Sequence, residues 1–121
     1  VLKERLEKIQ LQILNHTTLP NLDIIFGIEG THDQKKDYGV GFLRNAGYEK
    51  WQIETEYDLE YGSEGRRKSF RIDVIAKRKG KVEVAIECGT CPFFKLKKLC
   101  ELLPKVIWLP YVESDREFET H

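Results

Sequence analysis

The chain has 121 residues, and its 20 basic and 20 acidic side chains give a formal net charge of zero at pH 7. This length suits one domain with a single core, and no apolar run in the sequence is long enough to span a membrane. The first fifteen residues are charged and lack a signal-peptide pattern, so we predict an intracellular, cytoplasmic protein. We treat residues 1–121 as one domain with an acidic tail at about 113–121.

The first third of the chain predicts two helices. Apolar residues recur at helical spacing between Leu2 and Leu14, which indicates an amphipathic helix. Leu19–Ile28 is apolar but is interrupted by proline and glycine, so we predict a connection there with a strand-like or helical turn. Thr31-His32-Asp33-Gln34 matches a capping box, and the helix that it starts is predicted to end near Asn45.

A strand with one wet face is predicted over Trp51–Tyr61, where apolar and acidic residues alternate. Its polar face carries Glu54, Glu56, Asp58 and Glu60. These carboxylates can pair with basic side chains across the sheet or extend a metal site. In the second case we choose Glu56 as the ligand.

Two further strands form a predicted hairpin within Ser69–Gly89, around a turn at Arg78–Lys81. Both strands are apolar at even positions, so even positions must oppose even positions if the two strands face one core. The predicted pairs are Ile72 with Cys88, Val74 with Ile86, Ala76 with Val84, Ile75 with Ala85, Lys77 with Glu83, and Asp73 with Glu87.

The opposed carboxylates of Asp73 and Glu87 need a compensating charge. At about 5 Å, two negative charges repel each other by roughly 3 kcal/mol when the effective dielectric constant is about 20. A divalent cation held by both groups offsets this repulsion, and Mg²⁺ accepts one or two carboxylates while keeping waters for a phosphate-bearing substrate. The alternatives are two solvated acids, or a shifted register that separates them.

The chain continues with a predicted helix from Pro92 to about Leu103 and a buried strand at Val106–Leu109. Because a helix makes the crossover, this strand is predicted to lie parallel to its neighbour. The fold class is α/β, in the order helix, helix, strand, hairpin, helix, strand. We expect a mixed sheet of about four strands, packed on its even face by the helices.

An aspartate, a hairpin, a glutamate at the end of an apolar strand and a following helix occur together at Asp73 and Glu87. This arrangement resembles the core of the PD-(D/E)xK nucleases, which include many restriction enzymes and the archaeal Holliday junction resolvases. The resemblance covers about Thr31–Tyr111 and implies a restriction-endonuclease-like core. Two positions depart from the family pattern: Ile72 precedes the aspartate in place of proline, and Gly89 stands where the motif lysine is expected.

The resemblance implies a deoxyribonuclease, either an endonuclease or an exonuclease, that uses Mg²⁺ or Mn²⁺. Asp73 and Glu87 would hold the metal, and the backbone carbonyl of Cys88 would add a ligand. Lys95 on the following helix would replace the motif lysine and support the attacking water.

Basic residues surround the predicted site and suit contacts with nucleic-acid phosphates. They are Arg66, Arg67, Lys68, Arg71, Lys77, Arg78, Lys79, Lys81, Lys97 and Lys98. We predict duplex or branched DNA as the partner, no membrane partner, and a homodimer as the economical way to engage both strands. His32 with Lys35 or Lys36 also resembles an HxxK-like feature that precedes the core in some relatives.

Two other functions fit the sequence. Without the motif lysine, the domain can be an inactive relative that only binds nucleic acid or serves in an assembly. Cys88, Cys91 and Cys100 combine a C-x₂-C spacing with a third cysteine nine residues later, which suits a zinc or iron–sulfur protein. Three thiols are one fewer than a full ligand set.

Overall fold

The computed structural model describes residues 19–111, which form a five-stranded sheet with one helix against each face. The strands are β1 (Leu22–Ile24), β2 (Ile53–Tyr61), β3 (Lys68–Arg78), β4 (Lys81–Cys88) and β5 (Lys105–Leu109). The helices are α1 (His32–Asn45) and α2 (Phe93–Leu102), and a 3₁₀ helix at Lys50–Gln52 leads into β2. The helix predicted at Leu2–Leu14 and the acidic tail lie outside the described residues. Neither α1 nor α2 is long and apolar enough to cross a bilayer.

The sheet is mixed, with strands in the order β1-β5-β4-β3-β2. β2, β3 and β4 pair antiparallel, whereas β5 lies parallel to both β4 and β1. The parallel orientation of β5 was predicted from the helix that connects it to β4. The α/β class and the mixed sheet are therefore confirmed.

The sheet has five strands rather than four, because part of the predicted connection at Leu19–Ile28 is a strand. Leu22 is fully buried, and the backbone N–H of Ile25 donates to the carbonyl of Trp108 at 3.0 Å. The side-chain amide of Asn21 donates to two carbonyls at the end of α2, each at 2.9 Å. These hydrogen bonds fix a three-residue strand that is too short to show a sequence pattern.

The predicted register of the β3–β4 hairpin is confirmed over Val74–Ile86, Ile75–Ala85 and Ala76–Val84. Beyond Ala76 the pairing shifts, so Lys77 opposes Val82 and the predicted pair of Lys77 with Glu83 is wrong. The cause is the turn at Lys79–Gly80, where both residues have positive φ, +54° and +76°, as a tight two-residue turn requires. That turn aligns Arg78 with Lys81, and a β-bulge absorbs the one-residue difference from the register of the core.

Each face of the central strands is covered by one helix, so the prediction that the helices pack on the even face holds for α1 and is wrong for α2. On the even face, Val74, Ala76, Val84 and Ile86 pack with Leu43 of α1. On the odd face, Ile75 and Ala85 pack with Leu96 and Leu99 of α2. The central strands thus carry apolar residues on both sides, as the middle of a sheet flanked by helices needs.

Helix α1 begins as predicted and lies close to the sheet. The Gln34 backbone N–H donates to Thr31 Oγ1 at 3.2 Å, and the Thr31 backbone N–H donates to Gln34 Oε1 at 2.8 Å, which completes the capping box. Gly39 allows the close approach, because a methyl group there would lie 3.3 Å from Ile86 Cγ2. The cap and the contact together place His32 over the neighbouring strands.

The two glycines of α1 provide a matched test of this packing. Gly41→Ala should raise the free energy of unfolding by up to about 1 kcal/mol, because alanine favours a helix and nothing lies within 4 Å of the added methyl group. Gly39→Ala should be less stable than Gly41→Ala by about 1 kcal/mol or more, because its methyl group presses on the buried Ile86. Urea unfolding measures both, and equal stabilities would contradict the close contact.

Candidate active site

Asp73 on β3 and Glu87 on β4 lie together, as the predicted pairing requires. The backbone N–H of Cys88 donates to Asp73 Oδ2 at 2.8 Å, and the backbone N–H of Asp73 lies 3.4 Å from Glu87 Oε2. Each carboxylate is therefore held against the strand that carries the other. The hairpin register explains this juxtaposition, because Val74 and Ile86 are paired directly next to it.

Lys95 joins the two acids from the first turn of α2. Its ammonium group contacts the Glu87 carboxylate and donates a hydrogen bond to the Arg71 backbone carbonyl at 2.7 Å. The helix starts after Pro92, only a few residues beyond the end of β4, so its first turn lies near the strand ends. The three predicted catalytic residues, Asp73, Glu87 and Lys95, are thus brought together from three elements.

Gly89 has a structural reason to be glycine. Its φ angle is +81°, in the left-handed region that side chains disfavour, and an added Cβ would lie 2.5 Å from the Tyr111 ring. The Gly89 N–H donates to the Leu109 carbonyl at 2.8 Å, and its own carbonyl accepts from Trp108 Nε1 at 2.6 Å. The backbone here is built around a residue without a side chain, so a lysine at this position does not fit.

The Glu87 carboxylate is almost fully buried, with 2% of the residue exposed. Burial raises its pKa to about 7, and the neighbouring Asp73 carboxylate acts in the same direction. The ammonium group of Lys95 acts in the opposite direction but does not outweigh burial. Positive charge is therefore favoured at this point, because it would stabilise the ionised form of a carboxylate that has little water around it.

His32 and Lys36 also belong to this region, and neither was among the predicted catalytic residues. His32 Nε2 lies 3.0 Å from Asp73 Oδ1, at the first residue of α1. Lys36 stands one helical turn later, and its Nζ lies 2.6 Å from Glu56 Oε1. This hydrogen bond raises the pKa of Lys36 and lowers that of Glu56. The HxxK-like pattern was the sequence signal that could have identified these residues. In the structure, His32 and Lys36 lie on the Asp73 side of the site.

Lys35, the other candidate for that pattern, points elsewhere. It is fully buried, hydrogen-bonds the carbonyl of Ile28, and lies 5.5 Å from the centroid of the Tyr111 ring. Lys36 is therefore the lysine that accompanies His32. Lys35 instead helps to hold the ring that occupies the space beside Gly89.

Glu56 has a strained backbone next to Asp73. Its φ angle is +53°, although it is not glycine and lies within β2. The neighbouring pairs are Thr55 with Val74 and Tyr57 with Ile72, so Glu56 falls at the level of Asp73. Such strain costs roughly 1–3 kcal/mol and is concentrated in functional sites. Because it lies at the level of Asp73, Glu56 is a candidate for a further acid in the site.

Many basic side chains predicted to contact nucleic acid form ion pairs with the acidic face of β2 and its surroundings. These pairs are Lys77–Glu54 at 3.0 Å, Arg71–Asp58 at 3.2 Å, Arg67–Glu60 at 3.1 Å, Arg78–Glu83 at 3.5 Å and Lys98–Glu101 at 3.5 Å. Cross-strand pairing, one of the two alternatives for the acidic face, therefore occurs. Within residues 19–111, the exposed side chains of Arg66, Lys68, Lys79, Lys81 and Lys97 have no such acidic partner.

The three cysteines occupy separate environments. Cys88 packs in the core on the α1 side, whereas Cys91 packs in the core on the α2 side, and Cys100 is partly buried there. Burial raises the pKa of the Cys88 and Cys91 thiols to about 12 and that of Cys100 to about 11. Between residues 19 and 111, no group of three or more histidine, cysteine, aspartate or glutamate side chains is arranged to hold a metal ion. The pair of carboxylates at Asp73 and Glu87 is a donor set suited to an oxygen-preferring cation that retains waters, such as Mg²⁺ or Mn²⁺.

Comparison with known proteins adds no relative: no family model matches the chain, and neither the curated proteins nor the solved structures contain a match. The interpretation of the site therefore depends on its own geometry.

The raised pKa of Glu87 predicts a pH dependence of stability in buffer that contains EDTA. Between pH 4.5 and about 7 the folded state keeps a proton that the unfolded state releases, so wild-type stability should fall by about 1 kcal/mol per pH unit as the pH rises. Glu87→Gln cannot ionise and should lose much less stability over this range, whereas Glu64→Gln in the exposed β2–β3 loop should behave like wild type. Urea unfolding at several pH values measures this, and parallel curves for wild type and Glu87→Gln would contradict the burial of a titrating carboxyl group.

The requirement for glycine at position 89 predicts a second stability difference. Gly65→Ala should cost about 1 kcal/mol, since Gly65 has φ +85° but open space around it. Gly89→Ala should cost about 1 kcal/mol more, because its methyl group must also displace the Tyr111 ring. Thermal and urea unfolding compare the two variants. Equal losses would mean that Tyr111 does not occupy this space.

Proposed function

We propose that the protein is a metal-dependent nuclease that hydrolyses phosphodiester bonds in DNA. The observation that carries the proposal is the contact of the Lys95 ammonium with the buried Glu87 carboxylate beside Asp73. These are the two acids and the lysine that the PD-(D/E)xK resemblance requires, with the lysine supplied by α2 instead of position 89.

The order of elements supports the proposal. From α1 onward the chain runs helix, three antiparallel strands, helix and a parallel strand, which is the order predicted from the sequence pattern. The two acids stand on the central strands β3 and β4, and the lysine stands on the crossover helix. A restriction-endonuclease-like core is therefore part of the proposal.

Asp73 and Glu87 would hold Mg²⁺ or Mn²⁺, with the Cys88 carbonyl as an added ligand and Glu56 as a further acid nearby. Bound there, such an ion would polarise a phosphoryl oxygen and favour the ionised form of an attacking water. The protein supplies the orientation. The Cys88 N–H and the His32 ring each contact one oxygen of the Asp73 carboxylate, which fixes its plane.

Lys95 would act as the positive group of the site. Its ammonium is anchored by Glu87 and by the Arg71 carbonyl, which leaves one of its three hydrogens for a water or a phosphate oxygen. A donor aimed at charge that develops on the phosphate lowers the barrier without further reorganisation. The same contact would allow the site to work with Gly89 in place of the motif lysine.

The exposed basic side chains without acidic partners in residues 19–111 would hold the DNA backbone. Lys68 and Arg66 lie by the β2–β3 loop and Lys97 lies on α2, whereas Lys79 and Lys81 lie at the β3–β4 turn. Contacts of this kind position a phosphate backbone without reading its sequence. A homodimer that places two such sites on opposite strands is part of the proposal. Analytical ultracentrifugation of the full chain measures the oligomeric state.

Cleavage of labelled DNA in Mg²⁺ or Mn²⁺ tests the proposal. Asp73→Asn and Lys95→Met should each lower the cleavage rate by about 100-fold or more, because the first removes a carboxylate of the metal site and the second removes the positive group. Lys50→Met, an exposed lysine on the 3₁₀ helix, should leave the rate unchanged. Circular dichroism checks that each variant is folded.

Two results would contradict this proposal. Cutting that persists in folded Lys95→Met would mean that Lys95 does not replace the motif lysine. Metal-independent binding of DNA without cutting by the wild-type protein would instead favour the inactive binding module, in which Gly89 marks a loss of chemistry.

A further inference from the structure

Three aromatic side chains form a continuous row next to the candidate active site. Tyr61 at the end of β2 stacks on Phe70 of β3, with ring centroids 4.9 Å apart and planes 16° apart. Phe70 in turn lies 6.3 Å from Phe94 in the first turn of α2, with the planes tilted by 48°. We call Tyr61, Phe70 and Phe94 the aromatic row.

The free end of the aromatic row faces solvent. Phe94 is 67% exposed, and its neighbour Phe93 is 50% exposed. Phe70 is partly buried against the core on the α2 side, which fixes the inner part of the row. A partly buried inner stack with an exposed outer ring offers an apolar surface that is not needed to close the core.

Positive charge lines the aromatic row. Lys98 Nζ lies 5.5 Å from the centroid of the Tyr61 ring, and Lys97 is exposed on the same helix. Lys95 Nζ lies 6.0 Å from the centroid of the Phe70 ring while it contacts Glu87. The same lysine therefore lies between the aromatic row and the acidic pair.

We propose that the aromatic row is a stacking platform for unpaired nucleobases, and that the substrate is single-stranded or branched nucleic acid rather than intact duplex. The inference rests on the proposed function, because it takes nucleic acid as the substrate. Base faces are covered in a duplex and become available only where bases are unstacked. Aromatic rings flanked by lysines suit an unpaired strand, because its bases can stack on the rings and its negative phosphates can contact the lysines.

Binding without cleavage tests this inference. The probe is a fluorescently labelled oligothymidylate of about 12 nucleotides, compared with a blunt duplex of the same length, in EDTA and about 0.1 M salt. Fluorescence anisotropy of the full chain should show tighter binding to the single strand. Phe94→Ala should weaken that binding by about tenfold and change duplex binding less than about twofold.

Matched variants separate stacking from other effects. Phe94→Trp should retain single-strand binding, because it keeps an aromatic face, whereas Phe94→Leu should resemble Phe94→Ala. Trp51→Ala removes a ring that is 81% exposed and lies beyond the opposite end of β2 from Tyr61, and it should leave binding unchanged. These variants are not expected to disturb folding, because Phe94 and Trp51 are both exposed.

Three outcomes would overturn the inference. The first is equal binding of the single strand by wild type, Phe94→Ala and Phe94→Leu. The second is a preference of the wild type for duplex. The third is a Phe94 variant that changes self-association without changing DNA binding, which would assign the row to contact with a second copy of the chain. Because the assay contains EDTA, its result is independent of catalysis. Phe94-dependent binding by a protein that does not cut DNA would support the stacking platform and contradict the proposed nuclease. Cutting by a protein whose binding does not depend on Phe94 would support the nuclease and contradict the platform.

Discussion

Two carboxylates, Asp73 and Glu87, are held against each other by the pairing of β3 with β4, and one of them has almost no access to water. An ionised carboxylate in that position is destabilising unless a proton or a positive group compensates it. The fold meets this need by placing Lys95 in contact with Glu87. A divalent cation at the two acids would meet the same need in the proposed reaction.

The compensation comes from α2 because the end of β4 has no room for a side chain. Gly89 turns the chain with a positive φ angle directly beneath the Tyr111 ring, which itself contacts the buried Lys35. The chain then enters α2 at once, and the first turn of that helix brings a lysine back to the strand ends. The glycine at position 89 and the lysine on the first turn of α2 are thus two aspects of one local backbone path. The exposed ring of Phe94 is carried to the same place by the same turn.

Periodicity predicted the parts of the structure that depend on local pattern. Parity of the apolar positions in Ser69–Gly89, together with a turn placed at Arg78–Lys81, was enough to align Val74 with Ile86 and hence to bring Asp73 and Glu87 together. It could not show the bulge at Ala76 and Lys77, because the conformation of the turn decides that shift. Nor could it show the strand at Leu22–Ile24, which exists only through contacts with β5 and α2. The contact of His32 with Asp73 depends on where α1 lies over the sheet, a tertiary property that one weak spacing signal did not determine.

We propose that Asp73 and Glu87 form a cation site, and direct titration with Mn²⁺ tests this without reference to any substrate. Isothermal titration calorimetry of the wild-type chain at pH 7.5 should show binding that Asp73→Asn weakens by about tenfold or more. Asp37→Asn, which alters an exposed acid on α1, should bind as wild type does. Equal Mn²⁺ affinity in wild type and Asp73→Asn, or no Mn²⁺ binding by the folded wild-type chain, would contradict the account.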